Sequence, residues 1–207
     1  MFTPAPFVEA DADGIAAMLA RAPFGVLVTV DADGAPAVSH LPMLWDPARG
    51  EVIGHLARNN PQAVAKAARG LAIAPGPAAY ISPGWYPSKR AHGRVVPTWN
   101  YEAVHATGAL EWTEEPAELL AIVTALSARF EAGRAEPWAP SDAPTDYMDA
   151  MLGGITGVRM RIETLEAKRK LSQNRPEADR RGVIAGLSAS PSPGDQAVAG
   201  LMQDLER

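Results

Sequence analysis

Three short β-branched segments separated by two turn sequences constrain this chain more than any other feature. The first is FGVLVTV at Phe24–Val30, which the turn sequence DADG connects to an extended segment at residues 35–45. A second turn, DPARG, leads into EVIGHLA at Glu51–Ala57. Because such connections are too short for a crossover, the segments can pair only as antiparallel neighbours. The sequence therefore predicts a meander of three antiparallel strands, as in many small barrels.

Helical and extended patterns alternate along the remaining chain. Helices are predicted after Asp11 or Asp13 and at residues 59–70, 114–130, 176–187 and 195–205, and further strands at 71–75, 96–108 and 155–163. Proline and glycine are so frequent at 75–87 that a strand there must be short, and an ordered loop is predicted around 136–147. About six strands with inserted and appended helices indicate an α+β domain around an antiparallel barrel.

Composition places the chain among ordinary globular proteins. Of its 207 residues 47% are apolar and 21% charged, so one core without disulfides is expected. The absence of cysteine excludes a thiolate zinc site, an iron–sulfur cluster, a thiol nucleophile and a cysteinyl flavin. The opening sequence MFTPAPFVEADADG has no signal-peptide pattern, and no apolar run approaches the ~20 residues that cross a bilayer. The cytoplasm is the expected compartment.

Net charge limits the partners that the chain attracts. A formal net charge of −5 disfavours broad attraction to the phosphate backbone of nucleic acids. A direct DNA contact would need a local basic patch, and no helix-turn-helix or ribbon signature accompanies the candidate cations. Those candidates are Lys168, Arg169, Lys170, Arg175, Arg180 and Arg181.

The segment VPTWNYEAVHATG alternates as a strand does, yet it carries many groups that stack or hydrogen-bond. On a two-residue period, one face presents Trp99, Tyr101 and His105, and the other presents Asn100 and Glu102. Since an unpaired buried polar group costs about 1–3 kcal/mol, we expect one face to meet a ligand or a second subunit. The alternative is a sandwich strand whose Trp99 and Tyr101 lie in the core and whose polar groups bond locally.

Two further clusters have the chemistry to hold an anion. In GHLARNNPQ, His55, Arg58 and Asn59 lie at a strand end before a predicted helix, where a guanidinium and free backbone N–H groups suit a phosphate. The alternative for Arg58 is a solvated or ion-paired side chain. In KRKLSQN, at residues 168–174, the cations suit a phosphate and the amides suit the edge of a planar heterocycle. The alternative there is a basic surface turn.

The histidines show no metal-binding pattern. His40, His55, His92 and His105 lack the spacing of a metal site, so no metal is predicted. No grouping of serine, histidine and carboxylate stands out, and neither does a pair of carboxylates. The sequence names no catalytic residue, and whether the chain is an enzyme stays open.

Four segments together resemble the signature segments of a known family. GHLARNNPQ, GPAAYISPGWY, VPTWNYEAVHATG and KRKLSQNRP are similar, in the same order, to those of the PaiB family, the FMN-binding negative transcriptional regulators. The resemblance implies an FMN-binding domain at residues 1–187 and a C-terminal tail with a short helix at 188–207. It also implies an α+β fold: a six-stranded antiparallel split β-barrel of the pyridoxamine-phosphate-oxidase-like type with peripheral helices. Such proteins are homodimers that hold FMN at the seam between subunits.

The resemblance also assigns FMN contacts by position within the motifs. Arg58 and Lys170 are the predicted phosphate ligands, and Gln173 is predicted to bond the flavin edge. One departure from the family pattern is Pro75, which replaces a bulkier residue and removes an N–H from that strand. The full predicted set is His55, Arg58, Asn59, Ser82, Trp99, Asn100, Lys170 and Gln173.

Three functions are compatible with this resemblance. The first is an FMN-binding repressor of transcription, although an acidic chain without a recognised DNA-reading element needs a patch formed on dimerisation or a partner that contacts DNA. The second is a flavin-dependent oxidoreductase, in which the isoalloxazine supplies the redox chemistry. The third is a flavin sensor or carrier without turnover. The fold by itself does not separate them.

Overall fold

The described residues of this computed structural model, 1–206, contain eight β-strands and seven α-helices. The strands are β1 Val8–Glu9, β2 Phe24–Val30, β3 Pro36–Pro42, β4 Leu44–Asp46, β5 Glu51–Ala57, β6 Arg69–Ile81, β7 Thr98–Thr113 and β8 Ile155–Lys170. The helices are α1 Ala12–Arg21, α2 Pro61–Ala65, α3 Pro87–His92, α4 Pro116–Glu131, α5 Thr145–Leu152, α6 Glu177–Ser188 and α7 Pro193–Asp204. Hydrogen bonds join the strands in the order β3-β2-β6-β7-β8-β5-β4, with β1 antiparallel to β8.

The predicted α+β architecture with an antiparallel sheet is confirmed, but with eight strands rather than six. The strand predicted at 35–45 is two strands, because the extended structure is interrupted at Met43, whose N–H donates to the Pro23 carbonyl at 2.9 Å. The other addition is β1, where Val8 lies opposite Lys168. A strand of two residues carries no periodic pattern, so sequence alone gives no signal for it.

Several predicted boundaries were wrong. The helix predicted at 59–70 ends at Ala65, because Lys66 adopts a left-handed conformation with φ 48°. Proline and glycine do not shorten β6, which runs unbroken to Ile81. The pairing of β6 with β2 covers Gly70 to Ile73, so Pro75 and Pro77 remove no hydrogen bond from that ladder.

Two further segments differ from the predictions. The loop predicted around 136–147 gives way to α5 at Thr145. The strand predicted at 155–163 continues to Lys170, so Lys168 and Lys170 belong to β8 and not to a surface turn. None of the described helices is both long and apolar enough to cross a membrane.

The described chain divides into two compact units. Unit 1 comprises Met1–Met18, Pro75–Val104 and Glu166–Arg207, of which Arg207 lies outside the described residues. Unit 2 comprises Leu19–Ala74 and His105–Leu165.

The core of unit 2 lies between strands and α2. In this unit β2 pairs antiparallel with β3, and β5 pairs antiparallel with β4 and β8. Alternate residues of β2 and β5 point inward, as a half-buried antiparallel strand requires. The buried core residues are Leu27, Leu41, Met43, Val52, Leu56, Ala63, Ala72, Ala106, Leu110, Val158 and Met160.

The core of unit 1 is built largely from helices. Val183 and Leu187 of α6 and Val198 of α7 are fully buried. The helix α7 therefore contributes to this core, and the predicted domain boundary at residue 187 stays a prediction. The buried core residues are Ala79, Ile81, Tyr86, Leu171, Val183, Leu187, Val198, Ala199, Leu201 and Met202.

Candidate functional site

A groove opens in unit 2 where β3 runs beside β5. A Cβ atom on Gly54 of β5 would lie 3.0 Å from a methyl carbon of Leu41 and 3.1 Å from the Pro42 carbonyl oxygen, so only glycine allows β3 this close. The adjoining groove has a volume of about 490 Å³, within the range of small-molecule sites. It is lined by Ser39, His40, Leu41, Pro42, His55, Leu56, Ala57, Asn60 and Ile155.

His55 carries the least satisfied polar group in this groove. Its Nδ1 atom is buried and has no hydrogen-bond partner among the described residues. Burial lowers the pKa of His55 below its ordinary value, so the imidazole is neutral at pH 7 and Nδ1 either donates or accepts one hydrogen bond. Since buried polar atoms are nearly always hydrogen-bonded, a water or a ligand is expected to bond this atom.

Arg58 lies next to the groove with most of its donors unused. Its guanidinium donates from Nε and Nη2 to the Ile155 carbonyl oxygen, both at 3.3 Å, and the side chain is exposed. A guanidinium has five N–H donors in a planar fork, so the remaining donors can bind an anion. The alternative of a solvated or ion-paired Arg58 stays open, because the side chain is exposed and the pKa of Glu114, lowered mainly by its hydrogen bond with Lys66, is lowered further by the Arg58 charge.

The start of α2 is less available to an anion than the sequence suggested. Asn60 caps this helix: its Oδ1 accepts from the Gln62 N–H at 2.9 Å and its Nδ2 donates to Ser39 Oγ at 3.0 Å. The helix has only five residues. The predicted contact Asn59 is exposed beside it. The anion chemistry here therefore lies with side chains, Arg58 and His55, and not with free backbone groups.

In unit 1, the exposed fractions of the β7 side chains show which of the two polar faces of this strand is buried. Asn100 and Glu102 are 0% and 2% exposed, whereas Trp99 is 54% exposed. The Asn100 side chain bonds Ser172 Oγ at 3.0 and 3.1 Å and reaches Met202 Sδ at 3.4 Å. The alternative with Trp99 in the core is therefore wrong, and the expectation that one face of β7 meets a ligand or a second subunit stays a prediction.

The exposed face of unit 1 combines aromatic rings with a lysine. Trp99 contacts Tyr80 edge-to-face, with ring centroids 6.1 Å apart. Lys170 Nζ donates to Thr98 Oγ1 at 2.5 Å and to the Trp99 carbonyl oxygen at 2.8 Å, which leaves one of its three donors free. Burial lowers the pKa of Lys170 below its ordinary value.

Three of the predicted contacts are occupied within unit 1. Gln173 accepts from the Leu171 N–H at 2.7 Å and donates to the Arg169 carbonyl at 2.6 Å. Ser82 accepts from the Gly84 N–H at 3.1 Å, and Asn100 is bonded as described above. Their flavin contacts stay predictions, and each would have to replace or share an existing hydrogen bond.

The predicted residues therefore form two groups, one in each unit. His55, Arg58 and Asn59 belong to unit 2, and Ser82, Trp99, Asn100, Lys170 and Gln173 belong to unit 1. Sequence reasoning missed Ser39, His40 and Asn60 as groove residues. The alternation of polar side chains in VSHLP was visible, but the approach of β3 to β5 was not.

An antiparallel sheet with peripheral helices and a groove where β3 meets β5 defines a split β-barrel of the flavin-binding type. Two solved structures share the fold at 16% identity and a TM-score of 0.59: the conserved hypothetical protein Rv2991 from Mycobacterium tuberculosis and the FAD and heme binding protein from Mycobacterium smegmatis. Each alignment covers 86% of this chain, with 95% of the first structure and 79% of the second. At this identity the likeness shows the fold alone.

Sequence comparison identifies the family. Residues 1–164 match the family described as "Putative FMN-binding domain". The chain is 33% identical over 208 residues to "Protease synthase and sporulation protein PAI 2" of Bacillus subtilis (strain 168), covering 99% of this chain and 97% of that protein. The chain belongs to the PaiB family of FMN-binding proteins. The family and cofactor predictions are thereby confirmed, and the individual FMN contacts stay predictions.

Proposed function

We propose that this protein binds FMN at the seam of a homodimer in the cytoplasm and acts as a negative regulator of transcription of the PaiB type. The observation that carries the flavin part is the buried, unpartnered Nδ1 of His55 in a groove of about 490 Å³ beside the exposed guanidinium of Arg58. A neutral imidazole and a forked cation provide directional donors for a phosphate monoester. Bound FMN supplies redox chemistry through its isoalloxazine ring.

The predicted residues of each unit offer different kinds of contact to a flavin. In this proposal Arg58 neutralises phosphate charge and His55 supplies one hydrogen bond. Trp99 provides an exposed ring of the kind that stacks on a planar heterocycle, and Lys170 has one ammonium donor to spare. Asn59, Ser82, Asn100 and Gln173 remain proposed contacts of lower availability because of the contacts described above.

Exposed apolar side chains next to the groove support a seam between subunits. Phe24, Val30 and Val38 on the β2–β3 hairpin are 57%, 57% and 55% exposed, although strands normally turn such residues inward. The Phe24 ring also stacks on His40, a groove residue, with centroids 6.5 Å apart. A second chain that covered Phe24 and Val38 would bury apolar area and wall the groove at the same time.

The regulatory output is supported by the relative from Bacillus subtilis. Similarity to the protein named for protease synthase and sporulation extends over nearly the whole of both chains. A regulatory role needs a nucleic-acid or protein contact in addition to flavin.

Flavin retention tests the proposal directly. The protein is incubated with excess FMN and desalted, and absorbance is recorded at the flavin bands near ~370 and ~450 nm. We expect about one FMN per chain. Arg58→Ala should weaken binding by about 10- to 150-fold, because a hydrogen bond to a charged group is worth about 1.5–3 kcal/mol.

A matched control uses Arg49, an exposed arginine of unit 2 outside the groove. Arg49→Ala removes the same side chain and should leave FMN affinity unchanged. Light scattering on wild type and on Val38→Glu tests the seam, since a buried charge at position 38 should shift the dimer towards monomer. Absence of flavin from wild type after incubation would remove the flavin proposal, and an unchanged affinity in Arg58→Ala would remove Arg58 from the site.

A further inference from the structure

An exposed basic segment follows Trp85 and Tyr86 and belongs to unit 1. No aspartate or glutamate occurs between Glu51 and Glu102, in a chain whose net charge is −5. Within that stretch, Lys89, Arg90 and Arg94 lie within a span of six residues, and every residue from 89 to 94 is exposed. We call this set, with His92, the basic segment.

The cations of the basic segment are available, because they form no ion pair with the described residues. Two other cations of the acid-free stretch are neutralised, Lys66 by Glu114 at 2.7 Å and Arg69 by Glu163, and the exposed Arg58 belongs to unit 2. The basic segment therefore presents three unneutralised charges on one short piece of chain.

The cations that the sequence had offered for DNA are not available in the same way. Arg169 is held by Glu102 and Glu9, Arg180 by Glu206, and Arg181 by Glu177. Lys168 is buried, and Lys170 donates to the Trp99 carbonyl oxygen at the start of β7. The Arg175 guanidinium lies 5.1 Å from the centre of the Tyr86 ring. In the described part of unit 1, the exposed cations without an ion pair are therefore those of the basic segment and not those of residues 168–181.

The basic segment stands on a fixed base. The Ser88 N–H donates to Oδ1 of the buried Asp179 at 3.1 Å, and Tyr86 is fully buried. Trp85 packs against Gly182 and Gly186 of α6. A Cβ atom at position 182 would lie 2.1 Å from the Trp85 carbonyl oxygen, and one at position 186 would lie 2.5 Å from the Trp85 ring. Side chains that project from such a base lose little backbone freedom when they bind a partner.

Local conformation explains how like charges are held together. Lys89, Arg90 and His92 lie in the last turn of α3, where the negative end of the helix dipole favours cations. Gly93, with φ 71°, ends the helix by donating to the carbonyls of Lys89 and Ser88, so Arg94 continues beyond the turn. A side chain at position 93 would be strained in that conformation.

We propose that the basic segment binds the phosphate backbone of duplex nucleic acid. Its exposed side chains are cationic and carry no large apolar residue from 89 to 94, so it lacks the hydrophobic part that a membrane surface or a folded peptide groove requires. Unneutralised lysine and arginine on a rigid support are what sequence-independent phosphate contacts use. The inference rests on the regulatory part of the proposed function and is independent of flavin binding.

Fluorescence anisotropy with a short labelled DNA duplex of scrambled sequence tests this surface. The full-length protein and the variant Lys89→Ala/Arg90→Ala/Arg94→Ala are titrated from about 50 to about 200 mM salt. Three phosphate contacts predict a slope of about −2.7 in log affinity against log salt for each chain in contact, or about a 40-fold loss over that range. The triple variant should lose this slope.

The matched control is Arg49→Ala/Arg134→Ala/Arg161→Ala, which removes three exposed arginines of unit 2 and changes net charge equally. We expect it to bind the duplex within about twofold of wild type. Equal losses in both triple variants, or no loss in the basic-segment variant, would overturn the assignment. Binding to anionic vesicles of phosphatidylcholine and phosphatidylglycerol without duplex binding would overturn it in favour of a lipid surface.

Failure of this inference and failure of the flavin proposal give different results. Each protein is checked for FMN retention by absorbance before the titration. A wild-type protein that retains FMN but binds no duplex at the lowest salt would refute direct DNA contact and leave flavin binding intact. A protein that binds the duplex but retains no FMN would do the reverse.

Discussion

The ion triad of Arg169 with Glu102 and Glu9 offers a quantitative test of how unit 1 is held together. Arg169 Nε donates to Glu102 Oε1 at 2.8 Å, and Nη1 donates to Glu9 Oε2 at 3.1 Å. The side chain of Glu102 is only 1% exposed. The change to make is Arg169→Met, which keeps an unbranched stem and removes the guanidinium.

The expected cost follows from burial. Removing one partner of a buried ion pair costs about 3–5 kcal/mol, because the remaining charge stays desolvated. For a chain of this size a change of 1 kcal/mol shifts the melting temperature by about 2–4 °C, so Arg169→Met should lower it by about 6–20 °C. The control is Arg159, which lies earlier on the same strand β8: its pair with Glu51 at 2.7 Å leaves the two side chains 41% and 32% exposed.

A pair as exposed as Arg159–Glu51 contributes about 0–1 kcal/mol, so Arg159→Met should lower the melting temperature by no more than about 4 °C. Thermal unfolding followed by far-ultraviolet circular dichroism measures both variants. The double variant Arg169→Met/Glu102→Met should recover part of the loss, since it removes the more deeply buried carboxylate and leaves only Glu9, whose side chain is 14% exposed, without the guanidinium. Equal shifts in Arg169→Met and Arg159→Met would refute the reasoning.

Two further predictions concern pH and packing. Because burial lowers the pKa of His55, its neutral ring contributes stability that is complete above the unfolded pKa near 6.5 and is lost as pH falls from there through the folded pKa. Urea unfolding at stepped pH should show this loss in wild type and a flatter profile in His55→Gln; parallel profiles would contradict the assignment. Gly186→Ala should cost about 1–3 kcal/mol by overpacking against Trp85, whereas Gly200→Ala in α7 meets no atom within 4 Å and should stabilise by about 0.5–1 kcal/mol. Urea midpoints that fall equally for both glycine variants would show that the cost is not steric.

Local pattern was sufficient to predict β2, β5 and most helix positions, but not the break at Met43 that separates β3 from β4. The β2–β3 hairpin and β5 have alternating or continuous apolar residues bounded by turn sequences, and both were found where predicted. Their existence depends on side chains within a few residues of each other, which is the information that a sequence displays openly.

Contacts between distant residues account for what could not be predicted. Both faces of β7 carry polar groups, so a two-residue period does not tell which face is internal. Asn100 is buried because Ser172 is placed to bond it, 72 residues further along the chain. The groove could be predicted only in part for the same reason: His55, Arg58 and Asn60 belong to one motif, but Ser39 and His40 join it only when β3 approaches β5.

The division into two units has a consequence for how such a protein can be cut or inherited. The chain passes from one unit to the other after Met18, after Ala74, after Val104 and after Leu165. Neither unit is therefore a continuous stretch of polypeptide, and β6, β7 and β8 each contribute residues to both. No single truncation releases one unit intact, and neither could be exchanged between genes as an independent module. Because β6, β7 and β8 each contribute residues to both units, the two units can be inherited only together.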